Sequence, residues 1–196
     1  LLPRLIMVDA LKYAIKKRKR VVLVSDMYYS SDVLKDFLHL CNIPTDIPIY
    51  VSSECCATKD RGDLFDIIKH SFKSDSYLHI GDNRFSDGES AKKSGIDDFL
   101  IYSAYDMCMA SSIKMICSQV QKIEQRCLLG VLIANLFNDP FALHESRGKV
   151  VCSSLSQLGY AFVGAIFSEF IQYLKNRLET EKIEQLLLPA RDGFLI

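Results

Sequence analysis

The period of the apolar positions changes several times within the first hundred residues. Leu5, Val8, Leu11 and Ile15 recur every three or four residues, which predicts an amphipathic helix. VVLV at 21–24 is a short unbroken apolar run, the pattern of a buried strand. Val33, Leu34, Phe37, Leu38 and Cys41 then share one helical face, with Ser30 or Ser31 placed to cap it and Asn42 and Pro44 to end it. IPIYVSS at 47–53 predicts a second strand, and Pro48 marks its start or a sheet edge. A helix over 60–72, a strand at SYLHI (76–80), a short helix over 86–94 closed by Gly95, and a strand at DFLIY (98–102) complete the series.

Strands alternating with helices over short connections predict the α/β class: a Rossmann-like parallel sheet with helices on both faces. In such sheets ligands bind beyond the carboxyl ends of the strands. The polar clusters of this chain fall at those ends: SD at 25–26, SSE at 52–54 and GDN at 81–83. That placement is the first reason to expect a functional site.

After about Tyr105 the texture becomes helical. Ile113, Ile116, Val120, Ile123, Cys127 and Val131 keep helical spacing, so residues 106–137 read as one long helix or two. NDPFALHESRGK at 138–149 reads as a polar loop, and 153–179 as another long helical stretch. QLLLPARDGFLI at 185–196 reads as the start of a new strand-and-turn unit. The expected organisation is therefore an α/β core over 1–105, a helical region over 106–180, and the beginning of a second α/β unit over 181–196.

Composition narrows the function classes. Apolar residues make up 49% and charged residues 24% of the 196, a globular mixture. Lys plus Arg and Asp plus Glu number 24 each, so no bulk charge attracts nucleic acid or a membrane surface. KKRKR at 16–20 has the form of a nucleic-acid or nuclear-targeting patch. A solvated helix end, where cations oppose the helix dipole, accounts for it better. No apolar run approaches the roughly 20 residues of a membrane span, and LLPRLIMVDALKYAIKKRKR lacks the charge-then-apolar order of a signal peptide. Seven cysteines, an odd number without CxxC spacing, imply neither a disulfide framework nor a zinc site, and a reducing cytoplasmic setting fits them. The chain has no initiator Met and stops after an apolar run, so a fragment of a longer protein is expected.

Three stretches carry chemistry. In HIGDNRFSDGESAKKSGI, from His79 to Ile96, a strand ends in Gly-Asp and a second Asp follows five residues later. Asp82 and Asp87 can then face one point, an oxygen-rich arrangement that suits Mg²⁺; the same residues also suit a turn followed by an N-cap at Ser86 or Asp87. In SSECCATKDRGDLF, from Ser52 to Phe65, Lys59 lies in a loop before a helix, where an ammonium can meet a phosphate or a carboxylate. In VVLVSD, Ser25 follows the strand and can offer its hydroxyl to a phosphate oxygen, or it and Asp26 simply begin a turn. No GxGxxG or GxxxxGK[ST] occurs anywhere, which counts against a nucleotide-binding reading.

Taken in order, strand–Ser25, then Lys59, then GDNRFSD after a further strand resembles motifs two, three and four of the haloacid dehalogenase-like (HAD) superfamily. The phrases SDMYYS, SSE…TK…GDLF, HIGDN…SD and ARDGFLI look like bacterial HAD-like hydrolases that often accompany or fuse to glycosyltransferases. The likeness covers about residues 5–105 well and the remainder loosely. It implies that Ser25 and Lys59 bind the phosphoryl group and that Lys59 offsets charge during catalysis. It also implies that Asp82, supported by Asp87, holds Mg²⁺, with Asp26 and Asn83 in supporting positions. A small phosphorylated substrate, such as a sugar phosphate, and a linked glycosyltransferase partner follow from the same likeness.

The family's first motif, a strand ending in DxD, is absent: no two aspartates in the chain are separated by one residue. The first of those aspartates would be the nucleophile and the second the general acid and base. Asp26 does not replace it, because Tyr28 stands where the second carboxylate belongs. The nucleophile strand is expected upstream of Leu1, and this chain alone is expected to be inactive. Two alternatives stand beside the hydrolase: a non-catalytic HAD-like module that scaffolds or regulates a glycosyltransferase, and a plain doubly wound binding domain. Arg191 and Asp192, in ARDGF, read either as the start of a related α/β domain or as a β-turn.

Overall fold

A computed structural model describes residues 2–182 and 184–187, the side chain of Glu145 excepted. The chain forms two compact units, one running through Val150 and the other starting at Val151, and each is described by itself.

The first unit begins with α1 (Leu5–Lys16), which has no side-chain cap of its own. Distant groups occupy its start instead. Asn138 Oδ1 accepts the Leu5 N–H at 3.0 Å, and the Arg4 guanidinium donates to the carbonyls of Tyr102 (2.7 Å) and Asn138 (3.2 Å). The basic run at 16–20 is exposed at the other end of α1, as a solvated helix end requires.

Next come β1 (Leu23–Ser25), α2 (Ser31–Leu40) and β2 (Ile49–Val51). The two strands pair in parallel, with Leu23 opposite Ile49 and Ser25 opposite Val51. Pro48 cannot donate, but its carbonyl accepts the Leu23 N–H at 2.9 Å, so it stands at the entry of β2. Ser30 caps α2, its Oγ accepting from the Val33 N–H. The single turn α3 (Ser52–Cys55) follows β2 at once, and α4 (Asp63–Ser71) runs toward the second strand pair.

That pair is β3 (Leu78–Gly81) and β4 (Asp97–Leu100), again parallel, with His79 opposite Asp98 and Gly81 opposite Leu100. A π-helical turn (Arg84–Glu89) and the short α5 (Ser90–Lys93) connect them, where the sequence predicts one ordinary helix. The architecture is mixed α/β with two small parallel sheets of two strands each. Alternation along β3 and β4 puts His79, Gly81, Asp98 and Leu100 on one face. Phe65 of α4 meets His79 edge-on at 5.1 Å, and Phe65, Ala91 and Ile96 form a buried cluster with Tyr77 against it. The opposite face stays open: Leu78 is 64% exposed, Ile80 42% and Phe99 49%.

Residues 106–137 form three helices rather than one or two: α6 (Ala104–Ala110), α7 (Met115–Gln119) and α8 (Ile123–Leu136). Local polar groups account for the first break. Ser111 Oγ donates to the Cys108 carbonyl (2.8 Å) and accepts the Ile113 N–H (3.3 Å), which offers the backbone an alternative to the helical ladder. Val120 is extended and separates α7 from α8. The segment expected to be a polar loop at 138–149 contains the short α9 (Ala142–Ser146), entered after Asp139 Oδ1 accepts the Phe141 N–H.

In the second unit, α10 (Leu155–Leu158), a π-helical turn (Gly159–Val163) and α11 (Gly164–Thr180) follow one another without interruption. A Cβ on Gly164 would stand 3.2 Å from the Gly159 carbonyl oxygen, so the wide turn and the glycine go together. Residues 184–187 carry no helix or strand. The strand-and-turn expectation for the chain's last residues, with Arg191 and Asp192, lies outside the described residues. No helix among those described is long and apolar enough to cross a membrane.

Candidate functional site

The loops that follow β1, β2 and β3 are fastened to one another by side chains. Ser52, at the end of β2, accepts the Met27 N–H at 3.0 Å and donates back to the Met27 carbonyl at 3.2 Å. Ser53 donates to the Tyr29 carbonyl. Glu54 accepts from both the N–H (2.8 Å) and the hydroxyl of Ser31, which places a carboxylate at the start of α2. The SSE cluster therefore holds the end of β1 to the end of β2. Asp26 does the same from the other side, its Oδ1 accepting the Lys59 N–H at 3.1 Å.

Lys59 is only 9% exposed. Its ammonium points across to the loop after β3 and pairs with Asp87 Oδ1. Asp87, 3% exposed, is the most heavily bonded carboxylate in the chain's described part. Oδ1 also meets His79 Nε2 at 2.9 Å, and Oδ2 accepts the backbone N–H groups of Asp82 (3.1 Å) and Asn83 (2.9 Å). Burial pushes the Asp87 carboxyl up, but the bonds from His79, Lys59 and Asn83 outweigh it and hold the group well below the usual carboxylate range.

The sequence makes this packing feasible through Gly81. A Cβ there would lie 2.3 Å from Asp87 Cγ, so the residue before Asp82 has to be glycine if Asp87 is to lie against the strand end. Asn83 closes the turn: its Oδ1 accepts the N–H groups of Phe85 and Ser86, both at 3.0 Å. Asn83 therefore acts as an N-cap, and Asp87 does not cap the turn but anchors it.

Two of the expected site residues, Asp82 and Ser25, differ from these because neither side chain makes a hydrogen bond among the described residues. Asp82 is exposed, and its charge raises the Arg4 guanidinium's proton affinity against the lowering effect of burial. Ser25 is half-buried at the end of β1, and its hydroxyl makes no hydrogen bond among the described residues. An open, partly walled hollow of about 520 Å³ is lined by Asp26, Met27, Ser52, Thr58 and Arg61 among others, and neither Ser25 nor Asp82 lines it. Its place beyond the ends of β1 and β2 matches the rule for parallel sheets.

The structure thus brings Lys59, Asp87, Asn83 and Asp26 into one bonded network, with Asp82 on its rim through its backbone. Two participants escaped sequence reasoning. His79 sits two residues before Gly81 on the inward face of β3, and the strand's alternation was the signal that could have found it. Arg4 reaches the same neighbourhood from before α1, 78 residues away from Asp82 by their numbers, and nothing local in the sequence marks it. Among the described residues there is no group of three or more His, Cys, Asp or Glu side chains arranged to hold a metal ion. A Mg²⁺ ion held by one or two carboxylates, water and substrate phosphate needs no such group. Comparison with protein-family models finds no match, and comparison with curated proteins finds none either.

Proposed function

We propose that this chain carries the phosphate- and metal-binding side of a Mg²⁺-dependent, HAD-like phosphohydrolase acting on a small phosphorylated metabolite. The observation that carries the reading is the buried Lys59–Asp87 pair, which links the loop after β2 to the loop after β3 at the carboxyl ends of parallel strands. A lysine held this way has one donor committed to Asp87 and two left for phosphoryl oxygens. Ser25, with a free hydroxyl at the end of β1, binds one such oxygen. Asp82 is the carboxylate with room for a hard cation, while the four bonds on Asp87 make it the support of the metal loop rather than a second open ligand. Bound there, Mg²⁺ would supply neutralisation of the charge on the phosphoryl group.

The attacking aspartate belongs, on this proposal, to a strand outside these residues. Among the described residues β1 and β3 are each paired on one edge only. Lys59 ties the segment after β1, through Asp26, to the loop after β3, through Asp87. A strand pairing with both free edges would end at that same place and would deliver its carboxylate to the phosphoryl group in line. The absence of DxD from the chain also favours a second reading, a non-catalytic HAD-like module serving a linked glycosyltransferase.

The parent protein decides between them. On the first reading it encodes a DxD strand upstream of Leu1 and hydrolyses phosphate monoesters. That turnover is Mg²⁺-dependent, stops on chelation, and is abolished when the first of those aspartates is changed to Asn. A parent with no such strand and no turnover supports the second reading.

A further inference from the structure

Cys108 and Cys117 lie outside the site just described, and their sulfurs stand 3.3 Å apart. Cys108 is fully buried on α6; Cys117 is half-buried on α7. Both belong to the first unit. The break between α6 and α7, produced by Ser111, folds the chain back so that residues nine apart meet. A disulfide bond needs its sulfurs about 1.2 Å closer than this, a shift within reach of side-chain rotation and small helix movement.

We infer that Cys108 and Cys117 form a reversible disulfide, making the α6–α7 turn a peroxide-sensitive modification site. The roles of the two thiols follow from their surroundings. Burial and the neighbouring Cys117 push the Cys108 thiol above its ordinary value, which favours its protonated form. Cys117 is the accessible partner and reacts first. Its thiolate attacks one oxygen of hydrogen peroxide and the O–O bond breaks. The departing hydroxide takes up the proton that Cys117 released, giving water and a Cys117 sulfenic acid. Cys108 sulfur then attacks Cys117 sulfur: the S–S bond forms, the S–O bond breaks, and the leaving hydroxide takes the Cys108 proton as a second water. Two thiols and one peroxide become one disulfide and two waters. A dithiol reductant reverses the change by exchange.

The chain's own sequence makes the test direct. Lys114 lies between the two cysteines, so trypsin places Cys108 in the peptide 94–114 and Cys117 in the peptide 115–122. The 196-residue chain is treated with graded hydrogen peroxide, the remaining thiols are blocked with iodoacetamide, and the digest is analysed by mass spectrometry. The expected result is that 94–114 and 115–122 appear joined, two hydrogens lighter than their sum, at lower peroxide than any linkage involving the other five cysteines. Dithiothreitol restores both free peptides. In a Cys108→Ala chain, a dimedone adduct on Cys117 replaces the linked pair. The inference is overturned if Cys108 and Cys117 both remain alkylatable while other cysteines oxidise. It is equally overturned if Cys117 proceeds to sulfinic acid with Cys108 still free, or if either joins another cysteine first.

Discussion

Asp87→Asn tests the network because it removes a charge and almost no volume. Four donors converge on the wild-type carboxylate: the Lys59 ammonium and His79 Nε2 at one oxygen, and the N–H groups of Asp82 and Asn83 at the other. An asparagine amide has one acceptor oxygen and one donor nitrogen. Whichever way it faces, two donors confront an NH₂ group. In either orientation the buried Lys59 ammonium loses its counter-charge, and if the oxygen faces the backbone N–H pair it loses its acceptor as well. Breaking a buried ion pair from one side costs about 3–5 kcal/mol, a large share of the 5–15 kcal/mol typical of a folded protein. Urea unfolding at pH 7, with equal slopes for both proteins, should show that loss. The pH dependence carries a sign. Because the folded-state pKa of Asp87 is lowered, its contribution is complete above the unfolded carboxylate value of about 3.9 and is lost as pH falls through the folded value. The difference between wild type and variant should therefore stay level from pH 7 to about 4 and shrink only below that. A difference under about 1 kcal/mol at pH 7, the range of solvent-screened surface pairs, would refute the reasoning.

Two glycines should respond in opposite directions in the same unfolding assay. Gly81→Ala forces a Cβ onto an Asp87 carboxyl that four bonds prevent from moving, and should cost about 1–3 kcal/mol. Gly130→Ala, exposed on α8 with nothing beyond the helix's own backbone within 4 Å of the new methyl, should stabilise by about 0.5–1 kcal/mol. Ser30→Ala removes the cap of α2 and should lower stability by about 1 kcal/mol, with a matching loss of amide-exchange protection in the first turn of that helix.

The α/β alternation was legible because the strands fall within short runs rich in apolar residues, and α1, α2 and α4 keep a helical period between them. The joining of Lys59 to the GDNRFSD loop was legible only as an order of motifs; the ion pair itself depends on how far α3 and α4 carry the chain between strands, which no local pattern encodes. His79 was hidden because a histidine within SYLHI reads as one more strand residue until the partner of its ring is known. Arg4 was hidden because its partners, Tyr102, Phe137 and Asn138, are about a hundred residues or more away. The split of 106–137 into three helices was missed because apolar periodicity continues across Ser111 and Val120, while the backbone follows the serine hydroxyl and an extended β-branched residue instead. Glu54, read only as part of a polar strand end, turns out to face the start of α2, a role set by the register of β1 against β2.

The proposed roles of Lys59 and Asp82 in phosphoryl transfer differ, and steady-state kinetics of the parent protein over a Mg²⁺ titration separate them. Lys59→Ala should lower kcat by roughly 10²–10³-fold, the cost of losing one preorganised donor to the transition state, while leaving the Mg²⁺ concentration for half-activation near the wild-type value. Asp82→Asn should raise that concentration markedly and recover part of its activity at high Mg²⁺. Phosphatase turnover that is unchanged by both substitutions, in variants that fold by circular dichroism, would contradict the assignment of this site.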